Sequence, residues 1–514
     1  MPIALICIKI ESLTLTVFKK LRSMKFLRVY LSLACMSLCT SLLLAQGYRI
    51  EVDIAGLSND TIILGEYFTS RMIPVDTVVL DQKGKGIFEG DQAFTGGLYL
   101  IYIDPAHYFD LVLGDDQDLA VRADTSDLAH AITFRGSEDN RVFQEYKNYL
   151  QQKRGELETL SGRLGSTSTQ ADSLELVRQQ NQINREMEHY MDQIGISYPN
   201  LFVTRFIEAT REPFPPESLL NGNRRHDDSI RYFYYREHYL DRFDPFNLRL
   251  LHTPLYEGKI LNYLDRAVSQ HPDSLIAAVD YLLTGSKKDD ELYRYMLITL
   301  FNHFAESKYI GMDAVYFHIA EYYYIPDASW SSPEFISKLK ENLDNSKPTL
   351  IGQTAPNVIM RRIPEEHFAM AAQDTAIKQD PHIGSDFYIH DIDAPYTILY
   401  FWEADCSHCQ AATPVLHEVY ERLHDKGVEV IAVHVINSIE GKEKWVDFVN
   451  EHQLLGWINC WSPYSNEFRK LYNLQSYPQL FILDRDKKIV AKRVTPEQAE
   501  QILNNLIEGD SNNN

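Results

Sequence analysis

From Tyr48 onward apolar and charged positions alternate: Tyr48, Ile50, Val52 and Ile54 are interleaved with Arg49, Glu51 and Asp53. A period of two sends one set of side chains to a buried face and the other to water, which predicts a half-buried strand. Short stretches of the same kind recur at 61–64, 77–80, 98–103, 109–113, 119–121 and 131–134. Turn formers separate them, as in Lys83-Gly84-Lys85-Gly86 and Gly114-Asp115-Asp116. Strands this short at this spacing predict an antiparallel β-sandwich over residues 46–136. Gly84, Gly86 and Gly90 lack the spacing of a phosphate loop and no helix follows, so they read as hairpin turns.

The period changes after Gly136. Phe143, Tyr146 and Leu150 begin a helical stripe, with Ser137 placed to cap it. A polar helix to about 164, a turn at 165–169 and a second helix at 172–194 predict an antiparallel helical hairpin. Helical patterns continue to about 343 and make 137–345 an all-α region. Its aromatic runs, Tyr232-Phe233-Tyr234-Tyr235 and Tyr322-Tyr323-Tyr324, read as core and helix-packing residues. Residues 346–356 read as a linker and domain entrance. Beyond it strands (396–401, 428–435, 479–483, 488–491) alternate with helices (406–424, 442–452, 496–506). That alternation predicts an α/β domain with a mixed sheet over 346–510, and 511–514 reads as a disordered tail.

Charge narrows the partners. The 514 residues carry 50 Lys+Arg against 72 Asp+Glu, a formal charge of −22. So acidic a surface repels phosphate backbones and excludes nucleic acid as the main partner. The first 45 residues differ from the rest. Lys25 and Arg28 precede an apolar run, 29–44, that ends in Leu-Ala-Gln. This is the pattern of a signal peptide cut after Ala45, with Met24 marking 1–23 as an upstream mis-start; an uncleaved anchor is the other reading. The segment holds six basic residues and one acid, so without it the charge is −27. It also holds Cys7, Cys35 and Cys39, leaving only Cys406, Cys409 and Cys460.

An exported protein meets an oxidising compartment, where structural disulfides come in sets. One close pair, Cys406-Ser407-His408-Cys409, and one odd cysteine make poor scaffolding and good redox chemistry. A zinc site needs a second ligand pair that Cys460 alone cannot supply, so no metal is expected. The apolar run 398–402 precedes the pair and a helical pattern follows it, so Cys406 stands at a helix N-terminus. Free N–H groups and the helix dipole favour a thiolate there. Protonated His408 adds a second stabilisation. Cys409, one turn further in, is buried and ready to attack a mixed disulfide. Cys460, in the apolar strand 457–461, reads as a buried small hydrophobe.

These residues resemble the thioredoxin superfamily. Trp402 stands four before the first cysteine, where that family carries a tryptophan, and Pro414 eight after it, where the family has a helix-kinking proline. Ser476-Tyr477-Pro478-Gln479, before the strand 480–484, is similar to the family's cis-proline loop. The resemblance implies that Pro478 is cis and that Tyr477 and Pro478 face the sulfurs and present the substrate. The 72 residues from Cys406 to Pro478 are too many for plain thioredoxin and are similar to exported TlpA/ResA-like proteins, which insert a helix there; 442–452 fits it. Gly352-Gln353-Thr354-Ala355-Pro356 resembles their entrance motif. The upstream regions resemble uncharacterised sandwich and helical domains that precede such modules in Gram-negative exported proteins.

What the resemblance implies is a thiol–disulfide oxidoreductase of the periplasm or cell envelope. It would exchange disulfides with protein thiols through the redox-active pair Cys406–Cys409, need no other cofactor, and work with a membrane redox partner. Two positions depart from the family. Its buried acid, six before the first cysteine, is Tyr400 here, so Glu403 or water takes over any proton relay. Asp405 replaces the usual tryptophan, and its charge is expected to oppose thiolate formation at Cys406. Reductase and oxidant or isomerase both stay open. So does a cell-envelope binding protein whose sandwich and helical domains capture a ligand while the redox domain is secondary. The pattern sets no oligomeric state.

Overall fold

The computed structural model describes residues 47–128, 131–166, 170–307 and 309–513. The signal-like segment 1–45, its cleavage site and residues 167–169 of the predicted hairpin turn lie outside the described residues. The described residues up to Ala267 form one compact unit and those from Val268 on form another, so the all-α region is divided between two units.

In the first unit eight strands make two sheets. They are β1 (Tyr48–Ala55), β2 (Thr61–Phe68), β3 (Arg71–Val79), β4 (Lys85–Gly90), β5 (Gly97–Asp104), β6 (His107–Leu113), β7 (Asp118–Asp124) and β8 (Thr133–Arg135). The sheet orders are β4-β1-β7-β8 and β3-β2-β5-β6. Ile50, Val52 and Ile54 point inward as the alternation requires and share one core with Ile62, Leu64 and Phe109 of the facing sheet. The architecture is a sandwich, but β1 and β7 pair in parallel, so one sheet is mixed. Gly86 and Gly90 belong to strand β4 rather than to turns. Only Gly84 turns the chain, at φ +75°, where a Cβ would meet the Ile54 carbonyl.

The helix Glu138–Ser166 starts where Ser137 Oγ accepts the Asn140 N–H at 3.3 Å. Asn140 is fully buried and bonds both backbone groups of Val112, at 2.7 and 2.6 Å, so a polar clamp fixes the helix to β6. The helix Gln170–Ser197 packs beside it through stacked Tyr149 and Tyr190 rings and a small cluster of Leu160, Leu176 and Ile183. The expected hairpin is therefore present. Tyr232 and Phe233 are exposed on the helix Arg224–His238 instead of lying in a core.

The second unit opens with helices, among them Pro272–Ser286, Asp290–Ala305, Met312–Ile319 and Pro333–Ser346. Of the second aromatic run, Tyr324 is buried and Tyr322 exposed. Tyr323 Oη and His318 Nε2 both bond Asp280 Oδ1, each at 2.6 Å. Then comes a seven-stranded sheet of order β10-β9-β13-β12-β11-β14-β15. Its strands are β9 (Ile359–Arg362), β10 (Ser385–Tyr388), β11 (Tyr396–Trp402), β12 (Val428–His434), β13 (Ile458–Trp461), β14 (Gln479–Leu483) and β15 (Ile489–Lys492). β11, β12 and β13 run parallel, linked by the helices Ser407–Leu423 and Ile439–Glu451, and the flanking pairings are antiparallel. Every residue of β11 is buried, as befits a central strand covered on both faces.

Two boundary expectations change. Within 346–356, residues 352–355 are bound to the edge of the sheet: the Gly352 N–H donates to Ile489 O (2.8 Å), Ile489 N–H to Gln353 O (2.9 Å) and Ala355 N–H to Lys487 O (2.8 Å). Pairing satisfies backbone groups that a free linker would leave to water. The last helix, Pro496–Asn513, runs through most of the segment read as a tail.

Candidate functional site

The strand β11 ends at Trp402 and the chain turns through Glu403, Ala404 and Asp405. Cys406 is the N-cap of the helix Ser407–Leu423, with φ −80° and ψ 120°. Its carbonyl accepts the first helical bond, from Gln410 N–H at 2.9 Å, while Gln410 Nε2 donates to Ala404 O at 2.9 Å and closes the turn. The Tyr400 and Thr413 hydroxyls bond at 2.9 Å, tying the strand to the helix one residue before Pro414. Cys406 is half-buried and Cys409 wholly buried, and neither is in a disulfide.

The Tyr477–Pro478 bond is cis. The loop it shapes places the Tyr477 carbonyl 3.6 Å from Cys406 Sγ, which donates to it. Both predicted parts of the site, 71 residues apart in sequence, therefore meet. Burial pushes the Cys409 thiol up. The Cys406 sulfur and the Glu403 carboxylate add to this, and a hydrogen bond from the Glu403 backbone opposes it. Tyr400, in the position of the family's buried acid, is itself pushed up by burial and keeps its proton.

Trp402 is fully buried between Tyr400 (6.2 Å) and Phe448 (5.2 Å), with His434 edge-on at 5.9 Å. It supports the turn from below and does not face solvent. His408 is exposed and lines a cleft of about 610 Å³ with Tyr400, Val415, Ser476, Pro478 and Arg493.

Asp405 has a counter-charge nearby. Its carboxylate pairs with Lys444 Nζ at 2.7 Å, and Lys444 also holds Glu440 at 2.8 Å. A cation on the helix Ile439–Glu451, the predicted insertion, thus stands against the charge beside Cys406 and is shared with Glu440. No signal within the Cys-x-x-Cys neighbourhood points to Lys444, which is 38 residues from Cys406. Cys460 is buried in β13 and donates to Ala432 O at 3.6 Å, the environment of a packed thiol. Among the described residues no cluster of His, Cys, Asp and Glu is placed to hold a metal ion.

The thioredoxin-like family matches residues 395–489. The C-terminal domain is thioredoxin-like. A domain of unknown function, DUF5106, matches residues 176–344, most of the helical region. Among curated relatives, the thiol-disulfide oxidoreductase ResA of Oceanobacillus iheyensis is 25% identical over 169 residues, 32% of this chain and 76% of its own. The sporulation thiol-disulfide oxidoreductase A of Bacillus subtilis is 27% identical over 106 residues, 21% of this chain and 63% of its own. A solved thioredoxin-like protein from Bacteroides caccae is 17% identical, covers 57% of this chain and 97% of its own, and superposes with a TM-score of 0.39.

Proposed function

We propose that the protein is an exported thiol–disulfide oxidoreductase acting on protein substrates through Cys406 and Cys409. The observation that carries the reading is the half-buried Cys406 Sγ at a helix N-cap, 3.6 Å from the Tyr477 carbonyl, with the Cys409 thiol buried one turn behind. The relatives' names supply the reaction class, since both are thiol-disulfide oxidoreductases.

In the reducing direction the Cys406 thiolate attacks one sulfur of a substrate disulfide. An S–S bond forms to Cys406, the substrate S–S bond breaks, and the leaving thiolate takes a proton from water. The Cys409 thiol then gives its proton to Glu403 or water. Its thiolate attacks Cys406 Sγ, the Cys406–Cys409 disulfide forms, and the second substrate thiolate leaves and is protonated. The substrate gains two electrons and two protons, and the pair loses them. Burial favours the protonated Cys409 thiol, so its attack needs a base to take the proton. A second thiol–disulfide partner, which we place in the membrane, resets the pair. Export rests on the basic-then-apolar pattern of residues 24–45 and places the protein in the periplasm or cell envelope.

Reduction of insulin disulfides by the dithiothreitol-charged protein tests the reading. The parent should reduce insulin and Cys406→Ser should not. Cys409→Ser should accumulate a mixed disulfide at Cys406 that a thiol reductant releases. An inactive parent, or a Cys406→Ser variant as active as the parent, would sink it.

A further inference from the structure

Arg469 stands on the short helix Glu467–Leu471, outside the cysteine and proline motifs of the site. Its Nη2 donates to Val435 O at 2.7 Å, just past the end of β12. Its guanidinium lies over the Tyr477 ring, 5.6 Å from the centroid. Its own carbonyl accepts the Leu474 N–H at 2.9 Å. The Val435 N–H in turn donates to Trp402 O at 3.0 Å, at the end of the strand that leads to Cys406. One side chain thus joins the end of the central parallel strands to the loop whose carbonyl faces the reactive sulfur.

We infer that Arg469 is a positioning residue for disulfide exchange, holding the Tyr477-Pro478 loop so that the substrate backbone docks beside Cys406. The inference rests on the oxidoreductase reading. The physics is that of a strut. The loop lacks the ladder of hydrogen bonds that fixes β14, so its backbone position relies on side-chain anchors. A guanidinium supplies a planar stacking face and a permanently charged donor together, which a lysine ammonium does not. Arg469 touches neither sulfur, so its loss should leave the thiol chemistry of Cys406 alone and weaken docking of a polypeptide.

The experiment is steady-state insulin reduction by the full chain, run beside alkylation of Cys406 with iodoacetamide, in Arg469→Met and Arg469→Lys. Losing one charge-assisted hydrogen bond and one cation–π contact should raise KM for insulin about ten-fold in Arg469→Met, with kcat changed less than about two-fold. The alkylation rate should match the parent's. Arg469→Lys, which keeps charge and stem but not the planar fork, should recover part of the loss. Should the Met variant not fold, the same split between KM and alkylation in the Lys variant decides the matter. A parental KM in both variants overturns the inference, as does a parallel fall in alkylation, which would mean general loosening of the domain. An inactive parent removes the oxidoreductase reading itself, whereas an active parent with unaffected variants removes only the role of Arg469.

Discussion

Cys406 and Asp405 are adjacent, and a carboxylate beside a sulfur that must become an anion slows it. The structure answers this with Lys444, whose ammonium sits 2.7 Å from Asp405. Both side chains are largely exposed, so the pair adds little to stability, but its sign matters to the neighbouring thiol. In Lys444→Ala the Asp405 charge stands alone, and alkylation of Cys406 at neutral pH and low salt should slow about two-fold. Raising ionic strength should erase most of that difference, because exposed charges are screened. In an Asp405→Asn background the Lys444 substitution should no longer slow the reaction. A slowing that persists there would show that Lys444 acts other than through Asp405. Asp405 was legible from the sequence as a charge next to the site. Its partner was not, because that pairing is made by the packing of a helix from another crossover.

At the scale of elements, what could be read was what repeats. The alternation of β1, the buried run of β11 and the cysteine pair at a helix start all carry local periodicity, and each element forms where the pattern puts it. β9 and β10, four residues each, are too short to carry a pattern, and they exist because β13 offers an edge to pair with. The end of β12 holds a second unread feature. His434 is 1% exposed, stacked on Trp445 at 5.2 Å and edge-on to Trp402 at 5.9 Å. Burial pushes its imidazole down to about 3; the Ile436 backbone and Asp405 oppose the shift and Arg469 adds to it. Unfolding frees a ring that protonates near 6.5, so between those values the unfolded chain binds a proton that the folded one does not. Stability is therefore full above pH 6.5 and falls with acid by about 1.4 kcal/mol per pH unit from this one group. All five tryptophans lie in the second unit, so their fluorescence follows its unfolding. In urea titrations at pH 7 and pH 5 the parent should lose about 2 kcal/mol more than His434→Phe. Equal losses would mean that another group drives the acid sensitivity.

On the scale of the whole second unit, the helical segment and the thioredoxin-like domain are joined by backbone pairing along 352–355 and by a buried ion pair. Lys492 of β15 has a side chain only 8% exposed, and its Nζ meets Asp313 of the helix Met312–Ile319. The sequence marks neither residue, since an isolated Lys or Asp usually lies in water and only the fold brings these two out of it. Burial pushes the Lys492 ammonium down and Asp313 opposes the shift. A buried pair is weak evidence of stability in itself, but breaking it from one side leaves an ion with neither water nor a counter-charge. Asp313→Ala should therefore destabilise the second unit by about 3 kcal/mol in urea unfolding followed by tryptophan fluorescence. Adding Lys492→Met replaces the stranded ammonium with an apolar chain of similar length. The double variant should then recover most of that loss, because packing replaces an uncompensated charge. Additive losses in the double variant would instead mean that each side chain contributes through its own contacts. Lys492 and Asp313 would then not be coupled, and the ion pair would not be what ties the helix Met312–Ile319 to β15.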